Sequence, residues 1–408
     1  MNIVYLNPSA QLGGAEQCLL DLMASLQAAE PGWSLRLIAS GAGPLVSRAA
    51  ALGVPTRIVP FPPELARLGD AGAGGPAGRQ LSRLALLGRL FRASAGIATY
   101  NRRLRRAVAE FAPDVVHTNG LKMHLLGMWS RPDHIPVIWH IHDYLRPRPV
   151  AARLLRRYAP QCAAVVANSR SVADDVHALC GEHVRVHAVH NGIDLGRFSP
   201  VGPTLDLDRL AGLPPAQPVA LRVGILGTLA RWKGHTVFLK ALSLLPSSIP
   251  IRGYVVGGAL YQTEGSQHTV DELRGLAAQL GISHKVGFTG FVEEPEAAIR
   301  ALDIVVHAST RPEPFGLVIV EAMACGRAVI ASQAGGAAEI IAEGINALGH
   351  PPGDATGLAD RITQLATNAK LRAELGKAGR ATAERHFDRA RLATDLIPIY
   401  REVTLSEN

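Results

Sequence analysis

Two carboxylates eight positions apart, Glu313 and Glu321, flank the entry to a short helix in the stretch STRPEPFGLVIVEAMACGRAVIASQAGGAAEII. Asp303–His307 before it reads as a buried strand, and Arg311-Pro312-Glu313-Pro314 turns the chain into a helix at Phe315-Gly316. Val318, Ile319, Ala322 and Met323 recur at helical spacing, and Cys325-Gly326 supplies the glycine expected just past a helix. In an open α/β sheet such a turn lies at the carboxyl ends of the strands, where ligands bind. The first-turn amides of Phe315, Gly316 and Leu317 would point to the same place. Carboxylates accept from hydroxyl groups and amides donate to anions. The pattern therefore suits a polyhydroxylated ligand that carries phosphates.

A second group of that chemistry stands upstream. Val223–Gly227 reads as a strand, and Arg231-Trp232-Lys233-Gly234 follows it into a helix over Thr236–Leu245. A guanidinium fork and a mobile ammonium at a helix entry can clamp a diphosphate. His140 and His142 lie on one face of a strand ending at Asp143, an arrangement shared by some metal sites. A metal needs further convergent ligands, which the sequence does not bring together, so no metal is expected. Gln11-Leu12-Gly13-Gly14-Ala15-Glu16 opens a helix after the first strand, without the Gly-x-Gly-x-x-Gly spacing of dinucleotide folds.

The chain is similar to glycosyltransferase family 4, retaining enzymes of the GT-B fold. The resemblance rests on Glu-Pro-Phe-Gly-Leu with its second Glu, Ala-Cys-Gly and Gly-Gly, and on Arg231-Trp232-Lys233-Gly234. Val166-Ala167-Asn168-Ser169 and His190-Asn191-Gly192-Ile193-Asp194 add to it. It implies two facing Rossmann-like domains with an interdomain cleft, and a C-terminal helix crossing back to the first domain. It also implies that Arg231 and Lys233 meet the leaving diphosphate and that Glu313, with the amides of Phe315, Gly316 and Leu317, holds sugar hydroxyls. Glu321 would hold the ribose, Gly13 and Gly14 would approach the phosphates, and His142 would contact the donor sugar. One departure is Asn119 in His117-Thr118-Asn119, where relatives often carry a second histidine. The donor would be a UDP-, GDP- or ADP-sugar, with no metal cofactor, and the acceptor a glycan or lipid-linked hydroxyl. A nucleotide-sugar epimerase and a non-catalytic nucleotide-sugar binder are the alternatives.

The elements that must carry these residues alternate. Ile3–Leu6, Ser34–Ala39, Thr56–Val59, Val115–Thr118, Val137–Ile141, Ala163–Ala167 and Val184–Val189 are short apolar runs. Intervening helical stretches imply a doubly wound parallel sheet. Expected boundaries are an acceptor domain over 1–198, a Pro-rich linker over 199–218, a donor domain over 219–385 and a returning helix over 386–408. Asp206-Leu207-Asp208 matches a metal-binding Asp-x-Asp but falls in that linker with no buried strand before it, so it reads as chance. The glycine-rich 69–78 segment predicts a mobile loop.

The 408 residues suffice for two full cores, at 48% hydrophobic and 19% charged. No run reaches the roughly 18 apolar residues of a membrane span, and the N-terminus reads as a strand rather than a signal peptide. Four scattered cysteines without a Cys-x-x-Cys pair point to a reducing, cytoplasmic setting. The net charge of +8 is one-sided: residues 1–200 hold 22 Lys/Arg against 13 Asp/Glu, and the rest 20 against 21. No stacking motif or reading helix suggests nucleic acid. In 97–111, Ile97, Tyr100, Leu104, Val108 and Phe111 share one helical face, and Arg102, Arg103, Arg105 and Arg106 the other. That face predicts peripheral contact with an anionic membrane surface.

Overall fold

Alternation of short β-branched runs with amphipathic helices produces two parallel sheets. The computed structural model describes residues 1–62, 83–258 and 266–405. The chain divides into a first unit, Met1–Gly192 with Arg389–Asn408, and a second, Ile193–Asp388. The expected mobile segment 69–78 lies outside the described residues.

The first unit holds β1 (Asn2–Asn7), β2 (Ser34–Ala39), β3 (Thr56–Ile58), β4 (Val115–Asn119), β5 (Val137–Ile141), β6 (Ala164–Ala167) and β7 (Val186–Ala188). Their order is β3-β2-β1-β4-β5-β6-β7, with every pairing parallel. Alternate side chains of β1 serve opposite faces, as strand geometry requires. Val4 and Leu6 join Tyr100, Leu104, Leu126 and Trp139 on one side. Ile3 and Tyr5 join Leu19, Met23, Leu396 and Tyr400 on the other. The last helix, Ala390–Leu405, thus completes the first unit's core. In the helix Arg83–Ala109, Tyr100, Leu104 and Val108 are buried while Arg102, Arg103, Arg105 and Arg106 face solvent.

The second unit holds β8 (Leu221–Leu226), β9 (Ile251–Val256), β10 (Val286–Gly290), β11 (Ile304–His307), β12 (Ala328–Ser332) and β13 (Leu348–His350), in the order β10-β9-β8-β11-β12-β13, again parallel. Two expected boundaries move. The units part at Gly192–Ile193 rather than at 198, because Ile193 and Phe198 are buried in the second unit's core. The 199–218 span is part of that unit and not a free linker. Leu207 is fully buried, and Asp206 caps a helical turn by accepting from the Arg209 amide at 3.0 Å. Asp208 is buried and accepts from the Tyr254 hydroxyl at 2.8 Å and from Arg222 at 3.2 Å. Both aspartates of the apparent Asp-x-Asp are therefore engaged in holding the fold. The second unit also continues to Asp388, so the returning helix begins at Ala390 instead of 386.

Candidate functional site

Each sheet has one place where successive connections leave in opposite directions. In the second unit it lies between β8 and β11, which are neighbours although β9 and β10 come between them in sequence. A ligand crevice forms at such a switch point. The loop after β8 makes a short 3₁₀ turn, Arg231–Lys233, and then the helix His235–Leu244. Gly234 joins them at φ 79°, and a Cβ there would lie 1.8 Å from the Ala308 carbonyl oxygen. Only glycine permits that approach. The same two loops are stitched again where the Thr310 amide donates to the Trp232 carbonyl at 2.8 Å.

That stitching places Lys233 against Glu313. The ammonium lies 2.8 Å from both carboxylate oxygens and 4.1 Å from the centre of the Trp232 ring. Glu313 is only 5% exposed. Its Oε2 also accepts from Ser309 Oγ at 2.7 Å and lies 3.0 Å from His307 Nε2. Burial alone would raise its pKa. The Lys233 charge and the hydrogen bonds from His307 and Lys233 outweigh burial and hold the carboxyl well below its usual range. The Glu313 backbone is pinned as well: its amide donates to Ala334 O at 3.2 Å, and its carbonyl accepts from the Gly336 amide at 2.7 Å. Here the Gly-Gly turn at 335–336 has a structural purpose.

Downstream, Gly316 caps the helix Leu317–Ala324 at φ 103°, with Phe315 buried before it. Glu321 lies half-buried one turn into that helix. Arg380 closes the far end by donating to Ala324 O at 2.7 Å. Arg231 meets a different carboxylate. Its Nη2 lies 3.1 and 3.2 Å from the oxygens of Glu272, and its Nη1 is 3.2 Å from His268 Nδ1. Both expected cations are thus paired with carboxylates.

Gly13, Gly14 and His142 belong to the first unit, whose switch point lies between β1 and β4. Gly13 caps the helix Gly14–Ala29, and its amide donates to Glu16 Oε2 at 3.1 Å. Beneath it, Asn7 Nδ2 reaches Glu16 Oε1 at 3.3 Å, and Asn119 Nδ2 donates to Asn7 Oδ1 at 2.6 Å. Burial pushes the Glu16 carboxyl up. Asn119, the departure from the resemblance, thus ties β4 to β1 below the Gly-Gly loop.

His142 follows β5, its ring 4.1 Å from that of His140 at an interplanar angle of 35°. Neither of its ring nitrogens has a partner among the described residues. Burial lowers its pKa to about 4. The sequence offers no link between His117 and the β5 histidines, yet the fold supplies one. His117 Nε2 lies 3.2 Å from His140 Nδ1, and His117 Nδ1 lies 2.7 Å from the Tyr400 hydroxyl. Tyr400 in turn is 3.2 Å from the Tyr5 hydroxyl. Register explains the first contact, because His117 on β4 faces Ile138 and Asn119 faces His140. Among the described residues no group of three or more His, Cys, Asp or Glu is arranged to hold a metal ion. His307, Ser309, Glu272, Asn7 and Glu16 were given no role by sequence, and Asn119 entered only as a departure from the resemblance. A histidine ending the buried run Ile304–His307 was the one available sign.

Comparison with known proteins agrees with this architecture. The model of the glycosyl transferases group 1 matches residues 218–382, and that of Glycosyltransferase Family 4 matches residues 12–197. A D-inositol 3-phosphate glycosyltransferase of Jonesia denitrificans is 31% identical over 327 residues, covering 72% of each chain. One from Xylanimonas cellulosilytica is 34% identical over 252 residues, covering 59% of this chain but only 57% of its own length. The structure of Anabaena HepE in complex with UDP and glucose superposes with a TM-score of 0.75 at 26% identity, covering 100% of this chain and 99% of that one. Two parallel-sheet Rossmann-like units of this kind define a GT-B glycosyltransferase. Within that class the chain belongs to the group 1 glycosyl transferases, its first unit being of glycosyltransferase family 4.

Proposed function

We propose that the protein transfers a sugar from a nucleoside-diphosphate sugar to a hydroxyl acceptor with retention of anomeric configuration. The observation that carries this reading is Lys233, an ammonium held at the β8/β11 switch point by a carboxylate that a ligand phosphate can replace. On leaving, the diphosphate gains negative charge, and Lys233 and Arg231 stabilise it. The amides of Phe315, Gly316 and Leu317, which lead into the positive end of the helix Leu317–Ala324, favour anionic and hydroxyl oxygens. Glu313 meets the sugar hydroxyls and Glu321 the ribose. Gly13 and Gly14 bring backbone close to the phosphates, and His142, with both ring nitrogens unpartnered among the described residues, meets the reacting sugar. HepE bound UDP, which favours a UDP-sugar among UDP-, GDP- and ADP-sugars. The inositol phosphate named for two relatives favours a phosphorylated polyol acceptor over a plain glycan.

Release of each nucleoside diphosphate from a panel of nucleotide sugars, with and without acceptor, tests the reading. Proton NMR of the product should show the anomeric configuration of the donor. An inverted product refutes retention. Turnover without acceptor into an isomeric nucleotide sugar establishes the epimerase instead, and binding without turnover the passive binder. With two side-chain cations on the diphosphate the reaction needs no divalent ion, so activity abolished by EDTA and restored by Mg²⁺ would overturn that part.

Peripheral binding to an anionic membrane surface through 97–111 is supported by the exposed Arg102, Arg103, Arg105 and Arg106. The helix Pro149–Tyr158 adds exposed Val150 and Leu154 among Arg153, Arg156 and Arg157. No described helix is long and apolar enough to cross a membrane. Each arginine neutralised should remove about 1 kcal/mol of binding to phosphatidylserine vesicles. An intact protein that ignores such vesicles at low salt ends the idea.

A further inference from the structure

We propose that Tyr400, on the last helix, is a positioning residue for the ring of His140, which presents an uncharged N–H donor from Nε2 to a hydroxyl oxygen of a bound substrate. The inference rests on the proposed function for the identity of that oxygen. Everything else in it rests on contacts among β1, β4, β5 and the last helix.

Those contacts form a line. Tyr5 OH lies 3.2 Å from Tyr400 OH, which lies 2.7 Å from His117 Nδ1, and His117 Nε2 lies 3.2 Å from His140 Nδ1. Tyr5, Tyr400 and His117 are fully buried, and His140 is 4% exposed. Burial lowers His117 to about 3 and holds His140 well below the ordinary value, so both rings are neutral at physiological pH. A neutral ring carries one hydrogen, and its placement on one ring fixes its placement on the next. A phenol is a better donor than an imidazole N–H, and an imidazole nitrogen is a better acceptor than a phenol oxygen. The 2.7 Å contact also has the length of a hydroxyl donor, where N–H donors sit at about 2.9–3.0 Å. The Tyr400 hydroxyl therefore donates to His117 Nδ1. His117 then carries its hydrogen on Nε2 and donates to His140 Nδ1, so His140 carries its own on Nε2. Tyr5 completes the run by donating to Tyr400, and hydrogen bonds aligned in one sense strengthen one another.

The last donor of the line has no acceptor within the described residues. Unlike Nε1 of Trp139 beside it in sequence, His140 Nε2 is not enclosed. A line that served only the core would end on a buried oxygen. This one ends beside His142, the two rings 4.1 Å apart, at the carboxyl end of β5, where an open α/β sheet binds ligands. His124 stands outside the line, because its Nδ1 lies 2.8 Å from Thr118 Oγ1, which donates to Ile138 O at 3.0 Å.

Long-range ¹H–¹⁵N spectra of the histidine rings in the full chain read the line directly. At about pH 7.5, above the ordinary imidazole range, His117 and His140 should both be neutral with hydrogen on Nε2. His140 with its hydrogen on Nδ1, or as an imidazolium, overturns the inference and leaves the proposed function standing. Kinetics of sugar transfer then test the role. His140→Asn keeps a polar group toward His117 and loses the outer donor, so kcat/KM should fall about tenfold, the measure of one lost hydrogen bond. His140→Gln, whose amide reaches the outer position, should recover most of that loss. Equal losses overturn the inference, because the missing ring alone then explains them. Tyr400→Phe should lower kcat/KM roughly threefold with His140 present and not at all in the His140→Asn background. The same factor in both backgrounds overturns the inference, since Tyr400 then acts through the fold and not through His140. A rise in KM for donor or for acceptor in His140→Asn supports it and tells which substrate is met. A wild-type chain that turns over no nucleotide sugar defeats the proposed function, and this inference with it.

Discussion

The two units solve the same topological problem with opposite chemistry. Each sheet opens at a switch point where two loops from neighbouring strands must be held together. Between β1 and β4 the tie is an amide pair, Asn119 to Asn7 at 2.6 Å, with both residues buried. Between β8 and β11 it is an ion pair, Lys233 to Glu313 at 2.8 Å. The surroundings follow suit. The first unit collects His117, His124, His140 and His142 with lowered pKa values, burial being the main cause, so their rings stay uncharged. The second collects full charges, including Arg231 with Glu272. An amide pair offers a ligand nothing to exchange, whereas a phosphate can compete with a carboxylate for an ammonium. The second edge therefore offers an anion an exchange that the first does not.

Acid gives the largest break in that comparison. Burial lowers His117 and His124 to about 3 and His142 to about 4. Their folded values lie below the ordinary one near 6.5, so the unfolded chain binds more protons in between. The stability they contribute is present in full above about 6.5 and is lost as pH falls toward the folded values. Between about pH 7.5 and 5 this amounts to roughly 2 kcal/mol per ring, or about 6 kcal/mol for the three. Amide hydrogen exchange should show β4 and β5 losing protection over that range. Strands β8 and β9, which carry no histidine, serve as the reference. The depressed Glu313 carboxyl keeps its contribution down to about pH 5, since that begins to fall only as pH drops through the ordinary carboxyl range and is gone below its lowered folded value. Unchanged protection of β4 and β5 at pH 5 would mean that the first edge is not held by uncharged rings.

The next effect tests the charged edge. Lys233→Ala removes the cation aimed at the leaving diphosphate and should lower kcat on the order of 10²-fold, about 3 kcal/mol. It should weaken nucleotide affinity as well. Glu313→Gln should impair transfer without weakening affinity for the bare nucleotide, because it removes a competitor for Lys233 and not a phosphate ligand. Steady-state kinetics and nucleotide calorimetry on both variants decide between these roles. If Glu313→Gln loses the nucleotide and Lys233→Ala keeps it, the roles are reversed.

Much of the frame was legible because strands and helix entries are local. The seven apolar runs of the first half all became strands, and Gly316 and Cys325 bound the helix where the sequence places its ends. What stayed hidden depends on strand order. Lys233 and Glu313 stand 80 positions apart and meet only because β8 and β11 are neighbours. His117 and His140 meet through the β4–β5 register, and His117 meets Tyr400 across 283 positions. Prolines at 200, 203, 214, 215 and 218 suggested a free linker, but proline reports a turning backbone and not exposure. The buried Asp208 in the middle of that span shows the difference.

The smallest effect separates a neutral network that supports the first unit from one that is merely buried. The Tyr400 hydroxyl stands between Tyr5 OH at 3.2 Å and His117 Nδ1 at 2.7 Å. Tyr400→Phe keeps the ring that packs edge-on to Trp33, and it deprives two buried groups of their shared partner. A stranded buried polar group costs about 1–3 kcal/mol, so urea unfolding should show a loss in that range. Tyr100 supplies the control. It is 2% exposed, and its hydroxyl has no partner among the described residues. Tyr100→Phe removes a polar atom already left unsatisfied, so the same measurement should show no loss or a gain of a few tenths of a kcal/mol, roughly. The two substitutions delete the same atom from buried sites in the same unit, and only the hydrogen bonds differ. Equal losses would mean that the Tyr5–Tyr400–His117 contacts contribute nothing beyond packing, and the first edge would then be held by its apolar faces alone.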